Sequence, residues 1–299
     1  MIHMYFRSIG FSTEIPGQPL DMEAFVQQAL ESPDERVILG VGKDETYVEY
    51  YKYYGDNSGL VVHGRLNEDE SVEVLDYAPF ASSRNYLATS KTTMDYEDST
   101  YVAFSQDEAN GNEICFRLNN IIESMDVYEK VEKTLDVNMV NFAGLSLKGT
   151  VILPVAKDLN PDENARRIAA ENASLAAYLA QNQEATGENL FENLLFGEPS
   201  EIVESLRQRF VEEDLLSVVD SFFMPHETTD YLYSLMGEIE DVQKWNNSVT
   251  GARVFCLGLN VTGTRFDLYI HQKDLVGMPM PGMRFMGSCC MQGVICAED

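Results

Sequence analysis

Arg253-Val-Phe-Cys-Leu-Gly-Leu-Asn260 and Arg265-Phe-Asp-Leu-Tyr-Ile-His-Gln272 are two largely apolar runs separated by Val261-Thr-Gly-Thr264. Runs of this length and composition predict β-strands, and the short glycine-containing segment between them predicts a hairpin turn. Similar runs surround this pair at 215–224, 231–244 and 284–295. Five strands in succession predict a small closed β-barrel at the carboxyl end of the chain.

Predicted strands and helices are mixed in the amino-terminal part. Residues 20–30 and 121–131 carry apolar side chains at helical spacing. Asn110-Gly111 predicts a tight hairpin turn, because Asn-Gly readily supplies the positive φ angles that such a turn needs. A meander of antiparallel strands is predicted from runs at regular intervals, 37–41, 46–54, 59–65 and 71–77.

The pattern changes between these two β regions. Residues 139–155 predict one further extended strand, which completes or bridges a sheet. Asn160-Pro-Asp-Glu163 then begins a predicted helix, with a capping asparagine and a proline in the first turn, and an alanine-rich run continues it to Gln183. A second helix is predicted after Pro199.

These elements predict an α+β protein with three parts. Residues 1–158 form an N-terminal domain with a mainly antiparallel sheet and helices, and residues 159–213 form a helical connector. Residues 214–299 form a C-terminal small antiparallel β-barrel that resembles the oligonucleotide/oligosaccharide-binding fold.

The chain is strongly acidic, with 49 aspartates and glutamates against 21 lysines and arginines and a formal net charge of −28. This charge repels phosphate backbones and anionic lipid surfaces, so neither a nucleic acid nor a membrane is predicted as a partner. No run approaches the roughly 20 apolar residues that span a bilayer, and Arg7 interrupts the first apolar stretch before a signal-peptide core forms. We therefore expect a cytoplasmic protein.

The five cysteines do not form a disulfide or metal pattern. Their odd number is untypical of a secreted disulfide framework, and Cys296 is too distant from Cys289 and Cys290 for a Cys-x-x-Cys motif. Cys289 and Cys290 point to opposite faces if both lie in a strand. We expect reduced thiols that pack in the interior, and no metal or cofactor is predicted.

Several short segments resemble a family of bacterial proteins of similar length, known mostly from anaerobic Gram-positive species and described only as a domain of unknown function. The matching segments run from near the first residue to near the last: Arg7-Ser-Ile-Gly-Phe11, Phe116-Arg-Leu-Asn-Asn120 with Glu123, Leu145-Ser-Leu-Lys-Gly149 with Ile152-Leu-Pro154, Ser217-Val-Val-Asp-Ser-Phe-Phe-Met-Pro225, and Phe285-Met-Gly287 with Gln292-Gly293. The family carries no assigned activity, so the resemblance implies no catalytic residue. It does suggest that Cys289 and Cys290 replace bulky apolar residues of the last strand.

Candidate catalytic or metal-ligating residues are few. His226-Glu-Thr-Thr-Asp230 approaches the zinc-protease pattern but lacks the second imidazole one helical turn away. Residues 106–117 resemble a calcium loop only superficially, because Arg117 stands where the bidentate glutamate is required. The weak catalytic candidates are therefore His226, Glu227, Asp230 and His63.

One predicted strand is rich in tyrosine, at Tyr47, Tyr50, Tyr51, Tyr53 and Tyr54. Tyrosines on both faces of a strand are typical of a well-packed sheet, and they also suit a platform on which a ligand stacks. We favour the packed sheet.

Three functional hypotheses follow. The leading one is a non-enzymatic cytoplasmic binding or adaptor protein that acts on a protein, a peptide or an uncharged small molecule. The first alternative is an enzyme whose site lies between the two β regions, since pockets favour domain interfaces. The second is a structural protein that self-associates as a homo-oligomer through the alanine-rich helix.

Overall fold

A computed structural model describes residues 2–11, 21–41, 45–95, 102–107, 110–130, 135–152, 220–226 and 231–296. Within these residues the α-helices are α1 (Met22–Glu31) and α2 (Ile121–Lys130), and 3₁₀ helices lie at Ile2–Ile9 and Gln272–Asp274. The strands are β1 (Glu35–Val41), β2 (Glu45–Gly55), β3 (Ser58–Leu66), β4 (Val72–Ala81), β5 (Ala88–Asp95), β6 (Val102–Asp107), β7 (Glu113–Leu118), β8 (Leu135–Ile152), β9 (Phe222–Pro225), β10 (Leu232–Asn246), β11 (Arg253–Val261), β12 (Thr264–His271), β13 (Leu275–Val276) and β14 (Arg284–Cys296).

The predicted amino-terminal meander is confirmed as an antiparallel four-stranded sheet in the order β1-β2-β3-β4. A tight turn with Asn57 at a φ of 50° joins β2 to β3. The predicted helix over residues 20–30 is confirmed as α1, whose Asp21 side chain accepts a hydrogen bond from the Ala24 backbone N–H at 3.2 Å. The Asn110-Gly111 turn is confirmed between β6 and β7.

A closed barrel of five strands is also confirmed, in the ring order β8-β14-β10-β11-β12. The fifth strand of the ring is not the predicted strand at 215–224. Within the described residues, that region forms only the short strand β9 (Phe222–Pro225), which pairs with β10 at the edge of the sheet. Strand β8 takes the place instead, pairing with β12 on one side and β14 on the other. Residues 139–155 were predicted to complete or bridge a sheet, and β8 does both.

The small antiparallel barrel that was predicted contains one parallel pair, for a geometric reason. Strand directions cannot alternate all the way round a ring with an odd number of strands, so at least one neighbouring pair must be parallel. Here that pair is β8 with β12, in register from Asp267 opposite Ala143 to Ile270 opposite Ser146.

A second ring is built on the same two long strands. Strand β5 pairs with β8, β6 with β5, β7 with β6, and β14 with β7, so β5, β6 and β7 close onto the other ends of β8 and β14. Buried apolar side chains of both rings belong to one continuous cluster, which includes Phe116, Phe142, Leu257 and Phe285. The two rings therefore share one core.

A second apolar layer joins the four-stranded sheet to the outer face of the first ring. Its side chains include Phe6, Val48 and Leu60 from the amino-terminal part, with Leu145 and Tyr269 from the ring. The described structure is mainly β, so the predicted α+β class is only partly correct. The connector predicted over 159–213 lies outside the described residues, and the division into domains at 158 and 214 stays a prediction.

The cysteines are free thiols in the described structure, and all except the half-buried Cys296 are buried. Cys289 packs in the core of the rings and Cys290 in the layer beneath the four-stranded sheet, which confirms that they point to opposite faces. Burial raises the pKa of Cys256 and of Cys289. Both thiols are therefore protonated and unreactive at neutral pH.

Residues 2–11 pack between the four-stranded sheet and the first ring, and we call them the amino-terminal wedge. Arg7 donates to both carboxylate oxygens of Asp274, at 2.6 and 2.7 Å, and the Ser8 hydroxyl donates to the Ser146 carbonyl at 2.8 Å. Gly10 follows at a φ of +94°, and a Cβ there would lie 2.8 Å from the Cβ of buried Asn247. Asn247 in turn donates to the Ile9 carbonyl at 2.9 Å.

We predict that Gly10→Ala lowers the free energy of unfolding by about 3 kcal/mol, since it adds a close contact to the left-handed backbone strain of a Cβ-bearing residue. Gly251→Ala is the matched control, because Gly251 has a φ of +68° but no heavy atom within 4 Å of the added Cβ. This control should lose only about 1 kcal/mol. Urea unfolding of both variants measures the difference, and equal losses would contradict the steric argument.

Candidate functional site

The structure does not bring the predicted catalytic residues together. His63 lies in β3 of the four-stranded sheet, whereas His226 follows β9 of the larger sheet and its Nε2 lies 3.1 Å from the Ser234 hydroxyl. Glu227 and Asp230 lie outside the described residues. Among the residues that the structure describes, no group of three or more His, Cys, Asp and Glu side chains could hold a metal ion.

His63 instead belongs to a polar row that crosses the four-stranded sheet. Glu49 of β2 stands opposite His63 of β3, which stands opposite Asp76 of β4. The Glu49 Oε1 atom lies 3.0 Å from His63 Nε2, and the two side chains are 0% and 5% exposed. A carboxylate and an imidazole thus form a buried pair on the sheet face that also carries Tyr51.

Glu49 also caps α2, the helix that follows β7 of the larger sheet. Its Oε1 accepts hydrogen bonds from the backbone N–H groups of Ile121, at 2.7 Å, and Ile122, at 3.3 Å. These are the first amides of α2, which have no partner within the helix, and a negative charge at a helix amino terminus is electrostatically favourable. The carboxylate therefore fastens α2 to the four-stranded sheet.

The strand that leads into α2 is tied to the same row. Arg117 of β7 is 4% exposed and donates from Nη2 to Asp76 Oδ2 at 3.0 Å. Two residues later, the Asn119 side chain donates to the Ala81 carbonyl at 3.0 Å, and Asn120 exchanges hydrogen bonds with the Ile295 backbone at 2.8 and 3.1 Å. The segment Arg117–Asn120 therefore connects β4, α2 and the end of β14.

Gln292 of β14 completes this polar cluster. Its Nε2 donates to the Pro79 carbonyl at 2.8 Å, and its Oε1 accepts from the Ala81 backbone N–H at 3.0 Å. Segments that carry the family resemblance, Phe116–Asn120 and Gln292-Gly293, thus meet at one place. We call the set Glu49, His63, Asp76, Arg117, Asn119, Asn120 and Gln292 the seam cluster.

A carboxylate–imidazole pair is chemically suited to proton transfer. In the seam cluster, however, the carboxylate already accepts two helix amides, and the pair is buried beneath α2. The arrangement therefore favours a structural role, in which charged and amide side chains hold the two sheets in one position.

Sequence reasoning also missed a second buried ion pair. Arg84, in the connection between β4 and β5, donates from Nε and Nη2 to the two oxygens of Asp267, each at 3.0 Å. The Asp267 side chain is completely buried on β12. In both Glu49 and Asp267, the available signal was an acidic residue inside an apolar or aromatic strand run.

The tyrosine-rich strand is confirmed as β2 of a packed sheet, with Tyr50, Tyr51 and Tyr54 buried. Tyr51 donates to the Asn119 carbonyl at 3.1 Å, and burial, with smaller effects of nearby carboxylates, raises its pKa. Burial also raises the pKa of Tyr54 to about 12. The Tyr54 hydroxyl has no hydrogen-bond partner among the described residues.

We predict that Glu49→Ala lowers the free energy of unfolding by about 3–5 kcal/mol, because it leaves the first α2 amides without their buried acceptor and removes the carboxylate beside His63. Glu45→Ala is the control on the same strand, since Glu45 is half exposed and 3.7 Å from Arg65. It should cost less than about 1 kcal/mol. Chemical denaturation tests both, and a small loss for Glu49→Ala would show that the cap contributes little.

We predict that Tyr54→Phe reduces the loss of stability between pH 10 and about 12. The folded chain keeps the phenolic proton to a higher pH than the unfolded chain, so ionisation of the unfolded chain lowers stability from about pH 10 upward. Urea unfolding at several pH values from about 8 to about 11.5, a range that includes the onset of tyrosine ionisation near pH 10, measures how steeply the free energy of unfolding falls with pH. Parallel curves for the variant and the wild type would exclude Tyr54 as a contributor.

Comparison with known proteins identifies a family model that matches most of the chain. The model described as "Domain of unknown function, E. rectale Gene description (DUF3881)" matches residues 6–293. No curated protein matches the chain, and no solved structure matches it. The matched range extends from the amino-terminal wedge to Gly293 at the seam cluster, and confirms the resemblance described from the short segments. The chain therefore belongs to the DUF3881 family.

Proposed function

We propose that this protein is a non-enzymatic, cytoplasmic binding or adaptor protein whose partner is a protein or peptide with apolar and basic side chains. The observation that carries the proposal is a loop that presents apolar side chains to solvent. In the last residue of β13 and the loop that follows it, Val276, Met278 and Met280 are 63%, 69% and 49% exposed.

This loop, residues 276–283, is held firmly at both ends. Val276 pairs with Thr150 of β8, and the Gly282 backbone N–H donates to the Ile239 carbonyl at 2.8 Å. The Ile239 N–H returns a hydrogen bond to Met283 at 2.7 Å, while Pro279 is buried. The exposed side chains therefore sit on a fixed backbone, which lowers the entropy cost of binding.

The chemistry of the loop suits a protein surface. Methionine side chains are flexible and polarisable, so they adapt to differently shaped apolar partners, and exposed apolar patches commonly mark interaction sites. The net charge of −28 attracts a basic partner over long range and repels a nucleic acid. An apolar segment with flanking lysine or arginine residues satisfies both conditions.

The space between the two β regions supports binding over catalysis. On one face of the four-stranded sheet that space is filled by apolar side chains such as Phe6, Leu60 and Tyr269. On the other face lies the seam cluster, whose Glu49–His63 pair is the observation that favours the enzyme alternative. Both side chains are buried, however, so the pair is separated from solvent. A likeness of the barrel to the oligonucleotide/oligosaccharide-binding fold stays part of this proposal and assigns no ligand by itself.

We predict that a photo-crosslinking amino acid at Met278 captures one discrete protein partner in cells, whereas the same group at Met4 does not. Met4 is the control because it is 56% exposed and belongs to the amino-terminal 3₁₀ helix, not to the loop. The captured protein is then purified and titrated calorimetrically. Loss of two apolar contacts in Met278→Ser/Met280→Ser should raise its Kd at least about tenfold, and Met4→Ser should leave it unchanged.

Equal capture at both positions, or an unchanged Kd for the loop variant, would contradict a role for the loop. An adduct with the mass of two copies of this chain would replace the adaptor function by self-association.

A further inference from the structure

Strands β1, β4 and β9, together with the two-residue β13, have an unpaired outer edge in the described structure, and the three longer strands differ in how that edge is protected. Strand β9 has only four residues and ends in Pro225. Strand β4 carries an irregularity of register opposite His63 and Gly64, and His3 of the amino-terminal 3₁₀ helix lies 2.9 Å from the Tyr77 carbonyl and stacks on the Tyr77 ring. Short length, proline, bulges and coverage all prevent pairing with another strand.

Strand β1 is neither short nor interrupted by a proline or a bulge within the described residues, although α2 packs against it. It comprises seven residues, Glu35-Arg-Val-Ile-Leu-Gly-Val41, and pairs with β2 in unbroken register. Its sequence contains no lysine or proline, and Ile38 at its centre is 50% exposed. An extended, regular, apolar edge of this kind is a template for a further strand.

We propose that β1 pairs with β1 of a second copy of this chain, antiparallel and about a two-fold axis at Ile38. The four-stranded sheets of both copies then form one continuous sheet across the interface. In this register Ile38 faces Ile38, Val37 faces Leu39 and Arg36 faces Gly40, so apolar side chains are buried at the centre. Such pairs across an antiparallel ladder stabilise a sheet, and a two-fold interface requires a surface that complements itself.

Charge on the strand selects a second copy as the occupant. The strand has one glutamate and one arginine at the same end, and its formal charge is zero in a chain of −28. Antiparallel pairing keeps these ends apart, so no like charges stand opposite each other. The remaining acidic surface repels a second copy at long range, and salt screens that repulsion. Dimerisation should therefore become tighter as salt concentration rises.

Sedimentation velocity of the full chain at low and high sodium chloride tests the assembly. We expect a concentration-dependent dimer whose dissociation constant falls with added salt. Ile38→Lys places two ammonium groups opposite each other and should raise the dissociation constant at least about tenfold, whereas Ile38→Val should retain the dimer. Leu87→Lys is the control, because Leu87 is equally exposed at 53% and lies outside β1.

Disulfide trapping tests the register. With Cys296→Ser removing the half-buried native thiol, Ile38→Cys should cross-link two chains under mild oxidation, since opposed residues of an antiparallel pair are about 4.5–5.5 Å apart between Cα atoms. Leu87→Cys should not cross-link. A monomer at every concentration and salt level, a dimer unaffected by Ile38→Lys, or equal trapping through Leu87→Cys would each overturn the proposal.

Discussion

The antiparallel pairing of β8 with β14 is the interaction on which the rest of the structure depends. It extends from Met139 opposite Cys296 to Ile152 opposite Arg284, and both rings close on it. At one end β12 and β10 flank the pair, and at the other end β5 and β7 do. These two strands are far apart in sequence, so neither ring can close until the distant segments have been brought together. That step costs loop-closure entropy before the contacts of the closed ring can offset it.

Polar side chains act where the apolar layers end. Apolar contacts alone are non-directional, so they bury the four-stranded sheet against the rings without fixing its position. Glu49 fixes that sheet to α2, and Asp267 fixes the connection after β4 to β12, through hydrogen bonds of defined direction. Buried ion pairs of this type contribute little net stability against a well-packed apolar substitute, but losing one partner is costly. Their location at junctions between elements suits a role in positioning.

The sequence was sufficient for elements whose pattern is local. The meander, the Asn110-Gly111 hairpin and the strands β10, β11, β12 and β14 follow from runs and turns that lie next to each other. The place of β8 in the barrel could not be derived in this way, because its partners Tyr269 and Met286 are more than a hundred residues away and periodicity carries no information about pairing at that distance.

The candidate site was predicted least well for a related physical reason. His63 is a candidate because histidine is a common general base, whereas its partner Glu49 lies among tyrosines and attracts no such interpretation. An acidic residue in an otherwise apolar strand must either reach solvent or find donors, and Glu49 and Asp267 both found donors on other elements.

Ring closure also determines where this fold can meet other molecules. A closed ring leaves no strand edge, so β8, β10, β11, β12 and β14 pair their backbones internally. Their apolar side chains face either the shared core or the layer beneath the four-stranded sheet. Among the described residues, two features that face outward are the exposed apolar side chains of the loop after β13 and the backbone edge of β1. Both lie outside the closed rings, and the net charge of −28 opposes non-specific association between copies of this chain.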